Sequence, residues 1–187
     1  MNWCTDVILR TERFQLTPIR SEDVGFIHQL YSDWDVAKNL NKIPFPFDLE
    51  DARKHVDDLL SEANAAITAT FLIRLHAQDE YVGLVCLHHG QDHPEDRIGV
   101  LGYSICRPYW EKGYATEAAR KVVAYAERRS FSRLQASTVA SNIASRRLLE
   151  RLDFSLVEEG FMEEPLYGPP REMVRFIRES QVMSEQD

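Results

Sequence analysis

The residues best suited to chemistry gather in one stretch, residues 107–119, which read RPYWEKGYATEAA. A β-patterned run ends there and an unbroken run of helix formers begins. The first backbone N–H groups of a helix have no partner inside it and lie at the positive end of its macrodipole. Such a turn is a ready anion site and suits phosphate. Gly113 puts no side chain where an anion must approach the backbone, and it can adopt φ > 0. Lys112 adds a positive charge and Thr116 a hydroxyl. The same residues also describe an ordinary strand-to-helix turn with a solvated lysine. The common phosphate loops, G-x-x-x-x-G-K-[ST] and G-x-G-x-x-G, are absent. The three cysteines, Cys4, Cys86 and Cys106, stand far apart without the paired spacing of a disulfide framework or a zinc site, and no metal is expected. Cys106 has no partner arrangement for a nucleophile and reads as a small buried strand thiol.

A turn of this kind needs a strand before it and a helix after it. Residues 97–107, RIGVLGYSICR, read as the strand. Residues 116–131 read as the helix, with Ala115, Ala118, Ala119, Val122, Val123 and Ala126 as its buried stripe. Upstream, residues 13–19 alternate as an edge or early strand, and Ser21 is placed to cap a helix carrying Val24, Ile27 and Tyr31. Pro44 and Pro46 forbid a continuous helix, and Asp48 can cap a second one with Val56, Leu59 and Leu60 on its apolar face. ATFLIRLH and YVGLVCLHH form a hairpin through AQDE, and QDHPED is a polar loop. Downstream come a strand (RLQASTVA), a short helix (SNIASRRLLERLDF) and a final antiparallel pair (SLVEEGFM and EMVRFIRE), then a polar tail.

Alternating helix and strand patterns without an internal repeat predict one mixed α/β (α+β) domain over residues 1–187, its core at about 9–178 and its tail at 179–187. Apolar residues make up 44% and charged residues 28%, as in ordinary globular proteins. The net charge of −8 argues against a nucleic-acid partner, which calls for a basic footprint. The charged N-terminal residues read as neither signal peptide nor anchor, and no run reaches the length of a membrane span, so a cytoplasmic protein without a membrane partner is expected.

Several segments together resemble the GNAT superfamily of acetyl-CoA-dependent N-acetyltransferases, and within it the RimJ/RimL-like branch. The pyrophosphate loop of that family, [Q/R]-x-x-G-x-[G/A], is matched by Trp110-x-x-Gly113-x-Ala115. The tryptophan departs from the general pattern but suits the branch, whose members read yWgkGyatEA. SNIASRRLLERLDF resembles N-x-x-S-x-x-[LV]-[LY]-E-x-x-G-F, with Asn142, Ser145, Leu148, Glu150 and Phe154 in register and Asp153 where glycine is usual. IPFPFDLEDARKHV and LRTERFQLTPIRSED resemble two further segments of the branch, and the likeness runs from residue 9 to about 178.

The resemblance implies a mixed, mostly antiparallel sheet that splays at its centre, flanked by helices, with acetyl-CoA as co-substrate in the gap. The pantetheine arm would then pair with the main chain of Ile105 and Cys106, and Trp110 opens the loop. The pyrophosphate would sit on the amides of Glu111, Lys112, Gly113, Tyr114, Ala115 and Thr116. Asn142 would bond the pantetheine, and Ser145 would be the catalytic donor to the leaving sulfur, unless it merely bonds back to a helix carbonyl. Two acid–base groups common in the family are missing. Gly99, Val100 and Leu101 stand where a glutamate is frequent, and Leu149 stands where a tyrosine is frequent. Glu95, Asp96, His88 and His89 are substitutes, or else solvated loop and strand-end residues. Trp34, Phe45, Phe47 and Tyr103, with Tyr31 and Tyr167, are candidate pocket aromatics that equally suit packing. The expected activity is acetyl transfer to a primary amine, a protein N-terminus or a small molecule, by a monomer or homodimer. A silent acetyl-CoA sensor and a non-enzymatic interaction domain are the alternatives.

Overall fold

The computed structural model describes residues 4–5, 7–77, 80–90, 97–163 and 169–180, with the backbone alone at 162–163. The QDHPED loop with Glu95 and Asp96, Tyr167, and residues 181–187 of the tail lie outside the described residues. Eight strands form one sheet in the order β1-β2-β3-β4-β5-β6-β8-β7. They are β1 Leu9–Arg10, β2 Phe14–Pro18, β3 Thr68–Leu75, β4 Tyr81–His89, β5 Ile98–Ile105, β6 Arg133–Val139, β7 Ser155–Glu163 and β8 Arg171–Glu179. The helices are α1 Val24–Tyr31, α2 Trp34–Ala37, α3 Leu49–Asn64, α4 Tyr114–Arg128 and α5 Ile143–Glu150.

Side-chain alternation sorts the sheet into two cores. Phe71, Ile73, Val85, Leu87 and Leu101 pack with Ala118, Ala119, Val122 and Val123 of α4 and Leu149 of α5. On the other face Leu72 and Leu84 join Ile27 and Leu30 of α1, Val56 and Leu59 of α3, and Cys106.

Of the two capping signals one is met, and the short elements β1 and α2 are not among those expected. Asp48 caps α3, its Oδ1 accepting from the amides of Glu50 and Asp51 at 2.8 and 2.9 Å, and the Asp51 carboxylate accepts from the Asp48 amide at 3.1 Å. Ser21 does not cap the first helix. A 3-10 turn, Ser21–Asp23, precedes α1, and the carboxylate of buried Asp23 accepts the Arg20 amide at 2.7 Å instead. Ser21 is already the first residue of that turn, and Arg20 holds the N-cap position from which a side chain could accept the free amides.

The sheet is antiparallel except between β5 and β6, which run parallel and pair at Ile98↔Arg133, Gly99↔Leu134 and Val100↔Gln135. Beyond Val100 and Gln135 the two strands part. Backbone groups alternate in direction along each strand. The bonds Gly90 N→Ile98 O (2.7 Å) and Cys106 N→Val82 O (2.9 Å) set the phase on β5: even-numbered residues turn to β4. Leu101, Tyr103 and Ile105 therefore turn their amides and carbonyls into the gap. On β6, Ala140 N→Glu172 O and Ser180 N→Ser132 O, both 2.9 Å, turn the even residues to β8 and leave Ser137 and Val139 facing the gap.

Candidate active site

The gap opens toward the turn that heads α4. Gly113 is the N-cap in the left-handed region, at φ 75° and ψ 6°. The first intrahelical bond, Glu117 N→Gly113 O, is 3.1 Å long, so the amides of Tyr114, Ala115 and Thr116 have no partner within the helix. Glu111 also takes a positive φ, 62°. Lys112 is exposed, its Nζ 5.0 Å from the centre of the Tyr109 ring.

Arg13 of the first strand region, unmarked by any sequence signal, braces the turn. Its Nη1 donates to the Lys112 carbonyl at 2.7 Å and its Nε to Glu117 at 2.6 Å, while its guanidinium lies 4.5 Å over the Tyr114 ring. Partial burial alone would raise the Glu117 carboxyl, but hydrogen bonding with Thr11 and Arg13 holds it below the usual carboxylate range. The first-turn acid is therefore ionised and fixed.

The edge that β5 offers a ligand differs in detail from the expected one. Cys106 spends its amide on Val82, and its carbonyl accepts from Tyr109 N at 2.9 Å. Its thiol is buried, and burial pushes it up to about 11, so it is a packing group. The Ile105 carbonyl faces the gap but already accepts the Trp110 indole N–H at 2.7 Å. Trp110 thus latches the loop to the end of β5. The outward groups that remain are the Ile105 amide and those of Leu101 and Tyr103.

Across the gap, the Asn142 carboxamide oxygen accepts the Ser145 amide at 3.1 Å and caps α5, which leaves its NH₂ free to point elsewhere. The Ser145 hydroxyl does not bond back into its helix; its Oγ lies 2.7 Å from the Tyr103 hydroxyl. Tyr103 is one of the candidate pocket aromatics. Here it joins β5 to α5 across the split, and burial pushes its phenol up to about 12.

The other aromatics divide. Trp34 and Phe45 are exposed, 52% and 47%, with ring centres 4.8 Å apart. The Asp35–Arg107 ion pair at 3.2 Å ties that helix to the turn after β5. Phe47 does not join them: it is 5% exposed and packs 5.6 Å from buried Tyr31 in the α1–α3 core. His89 lies against Phe131, ring centres 5.4 Å apart and tilted, whereas His88 lies on the opposite face against Thr68 and Cys86.

The comparisons with known proteins agree with this arrangement. The model of the acetyltransferase (GNAT) domain matches residues 13–155. The uncharacterised N-acetyltransferase p20 of Bacillus licheniformis is 32% identical over 160 residues, covering 83% of this chain and 85% of that protein. The crystal structure of RimL, a ribosomal L7/L12 alpha-N-protein acetyltransferase in complex with CoA, superposes with a TM-score of 0.81 at 20% identity, over 94% of this chain and 99% of that one. The ribosomal-protein-S5-alanine acetyltransferase of Vibrio fischeri superposes with a TM-score of 0.76 at 17% identity, over 94% and 98% of the chains. Among the described residues no helix is long and apolar enough to cross a membrane. A sheet split between its two parallel strands, a glycine-capped helix facing the split, and a family match over most of the chain lead to one conclusion: this chain belongs to the GNAT acetyltransferase family.

Proposed function

We propose that the protein transfers the acetyl group of acetyl-CoA to a primary amine, by direct attack within a ternary complex. The observation that carries this reading is the parting of β5 from β6 beside the unpartnered amides of Tyr114, Ala115 and Thr116. That site fits the ligand. Three amides without a partner among the described residues, at a helix N-terminus with Lys112 beside them, suit a pyrophosphate. The gap-facing groups of Leu101, Tyr103 and Ile105 suit the amides of a pantetheine arm, and the Asn142 NH₂ adds a donor from the far side. Acetyl-CoA would supply an activated acyl group. The protein supplies position, which accounts for much of the barrier in such reactions.

The charge that grows on the acyl oxygen needs a donor placed beforehand. The gap-facing amides of Leu101 and Tyr103 are fixed by the β4 ladder and need no rearrangement to provide it. The departing sulfur needs a proton. The Tyr103–Ser145 pair keeps both of its protons at neutral pH and offers one there. The exposed Trp34–Phe45 pair is suited to the acceptor's side chain. The relatives' names point to protein N-termini as a first acceptor class, with small-molecule amines as the second.

The test is thermal stability with acetyl-CoA, CoA and ATP, followed by thiol release with serine- and alanine-starting peptides and a panel of amines. A native-state ligand at a hundredfold excess over Kd adds about 2.7 kcal/mol, roughly 5–10 °C for a domain of this size. Stabilisation by acetyl-CoA and CoA but not ATP, with thiol release, is expected. Binding without release to any amine would indicate a sensor, and no shift would remove both readings.

A further inference from the structure

On the sheet face covered by α3, four polar side chains form a chain. Thr68 Oγ1 donates to Glu62 Oε2 at 2.7 Å, His88 Nδ1 lies 2.8 Å from the same Thr68 Oγ1, and His88 Nε2 lies 3.3 Å from Cys86 Sγ. Thr68 has a single proton. Spent on Glu62, it leaves the hydroxyl as an acceptor toward His88. Nδ1 must then carry the ring proton, and Nε2 is the bare nitrogen.

The register places this nitrogen beside the split. His88 pairs with Val100, the last β5 residue joined to β6. Cys86 pairs with Gly102, the next residue along the same face. A Cβ on Gly102 would stand 2.8 Å from Cys86 Sγ, so the thiol occupies room that only glycine leaves. Nε2 faces the Cys86 thiol at 3.3 Å, two residues along β4 in the direction in which β5 has left β6. His88 also holds the position opposite Val100, one of the three residues standing where relatives carry a carboxylate.

We propose that His88 is the proton acceptor of the transfer reaction, taking the acceptor amine's proton at Nε2, directly or through one water, with Glu62 and Thr68 as positioning residues. The proposal rests on the acetyltransferase reading above. The amine nitrogen forms the bond to the acetyl carbon and the carbon–sulfur bond breaks. One amine proton goes to Nε2 and then to solvent, and the sulfur takes a proton from the Tyr103–Ser145 pair, which is refilled from solvent.

The groups facing His88 are Cys86 on its own strand, Glu62 and His55 on α3, and Lys42 before α3. The contact with Cys86, opposed by burial and by Lys42 and aided by Glu62, holds the imidazole above its ordinary 6.5. The base form then prevails only above that point, so activity rises with pH along a limb lying above 6.5.

The test is kcat/KM against pH for the full chain, with acetyl-CoA and a serine-starting peptide. Acetyl-CoA affinity is measured by calorimetry alongside. His88→Gln is expected to keep acetyl-CoA affinity and fold stability, to lose kcat/KM by a hundredfold or more, and to lose the acid limb. Glu62→Gln is expected to move the limb to lower pH, and His89→Gln to leave rate and limb unchanged. Should the peptide accept no acetyl group, slow hydrolysis of acetyl-CoA is followed instead, with water as acceptor and the same limb expected. Retention of the limb in His88→Gln, a loss under threefold, or a larger loss from Cys86→Ala than from His88→Gln would overturn the assignment. Failure of the wild-type chain to bind acetyl-CoA would instead overturn the reading on which it rests.

Discussion

Tyr103 and Ser145 lie 42 positions apart, and nothing in the sequence pairs them. What joins them is a 2.7 Å contact across the split, with the phenol pushed up to about 12 by burial. A group that high stays protonated at neutral pH, and a hydroxyl neighbour can pass its proton on. Tyr103→Phe keeps the ring's packing and removes only the hydroxyl. It is expected to lower kcat by about ten- to a hundredfold while acetyl-CoA affinity stays within about twofold, and Ser145→Ala is expected to behave alike. Steady-state kinetics beside calorimetric titration would decide. A matching loss in affinity would mean that the pair only shapes the pocket.

At the scale of elements, the phosphate turn is a helix end held from outside its own helix. Gly113 supplies the left-handed cap, but the position of the turn comes from Arg13, clamped between the Lys112 carbonyl and Glu117. Glu117 is held below the carboxylate range despite partial burial, because Thr11 and Arg13 favour its ionised form. A carboxyl lowered in the folded state contributes stability above its unfolded value, near 4.5, and that contribution is lost as pH falls through the lowered value. Wild type is therefore expected to lose stability more steeply below about pH 4.5 than Glu117→Gln, which is less stable at pH 7. Denaturant melts between pH 3 and 7 would show it, and parallel curves would refute it. Glu117→Gln should also weaken acetyl-CoA binding if the clamp positions the loop amides.

At the scale of the molecule, the site is a fault between two halves of one sheet. β1 to β5 form one antiparallel ladder, β6 to β8 another, and a three-pair parallel seam is the join. A ligand lying in the gap would bond both lips. Hydrogen exchange is therefore expected to slow on acetyl-CoA binding at the amides of Leu101, Tyr103, Ile105, Ser137 and Val139. The amides of Gly102 and Ser104, already turned to β4, should change little. Protection confined to α4 would show that only the phosphate turn is engaged.

Much of this arrangement follows from the chain read in order, because the decisive signals are local. Phosphate-turn chemistry needs glycine, lysine and a helix start within a few residues. Asp48 caps within its own turn, and the buried stripe of α4 repeats within four turns. Even Asp153, standing where a glycine is usual, takes the left-handed conformation, at φ 62°, that a helix stop demands. Register and pairing across distant residues were beyond such reading. Ladder phase turned Cys106 toward Val82 and left Leu101, Tyr103 and Ile105 at the gap. The fold drew Arg13 to a turn 99 residues away and Tyr103 to Ser145, and it buried Phe47 while leaving Phe45 outside. Local propensity determines which elements form and where an anion could sit. Which side chains meet is decided only when the sheet closes, because a strand shifted by one residue turns every side chain to the other face.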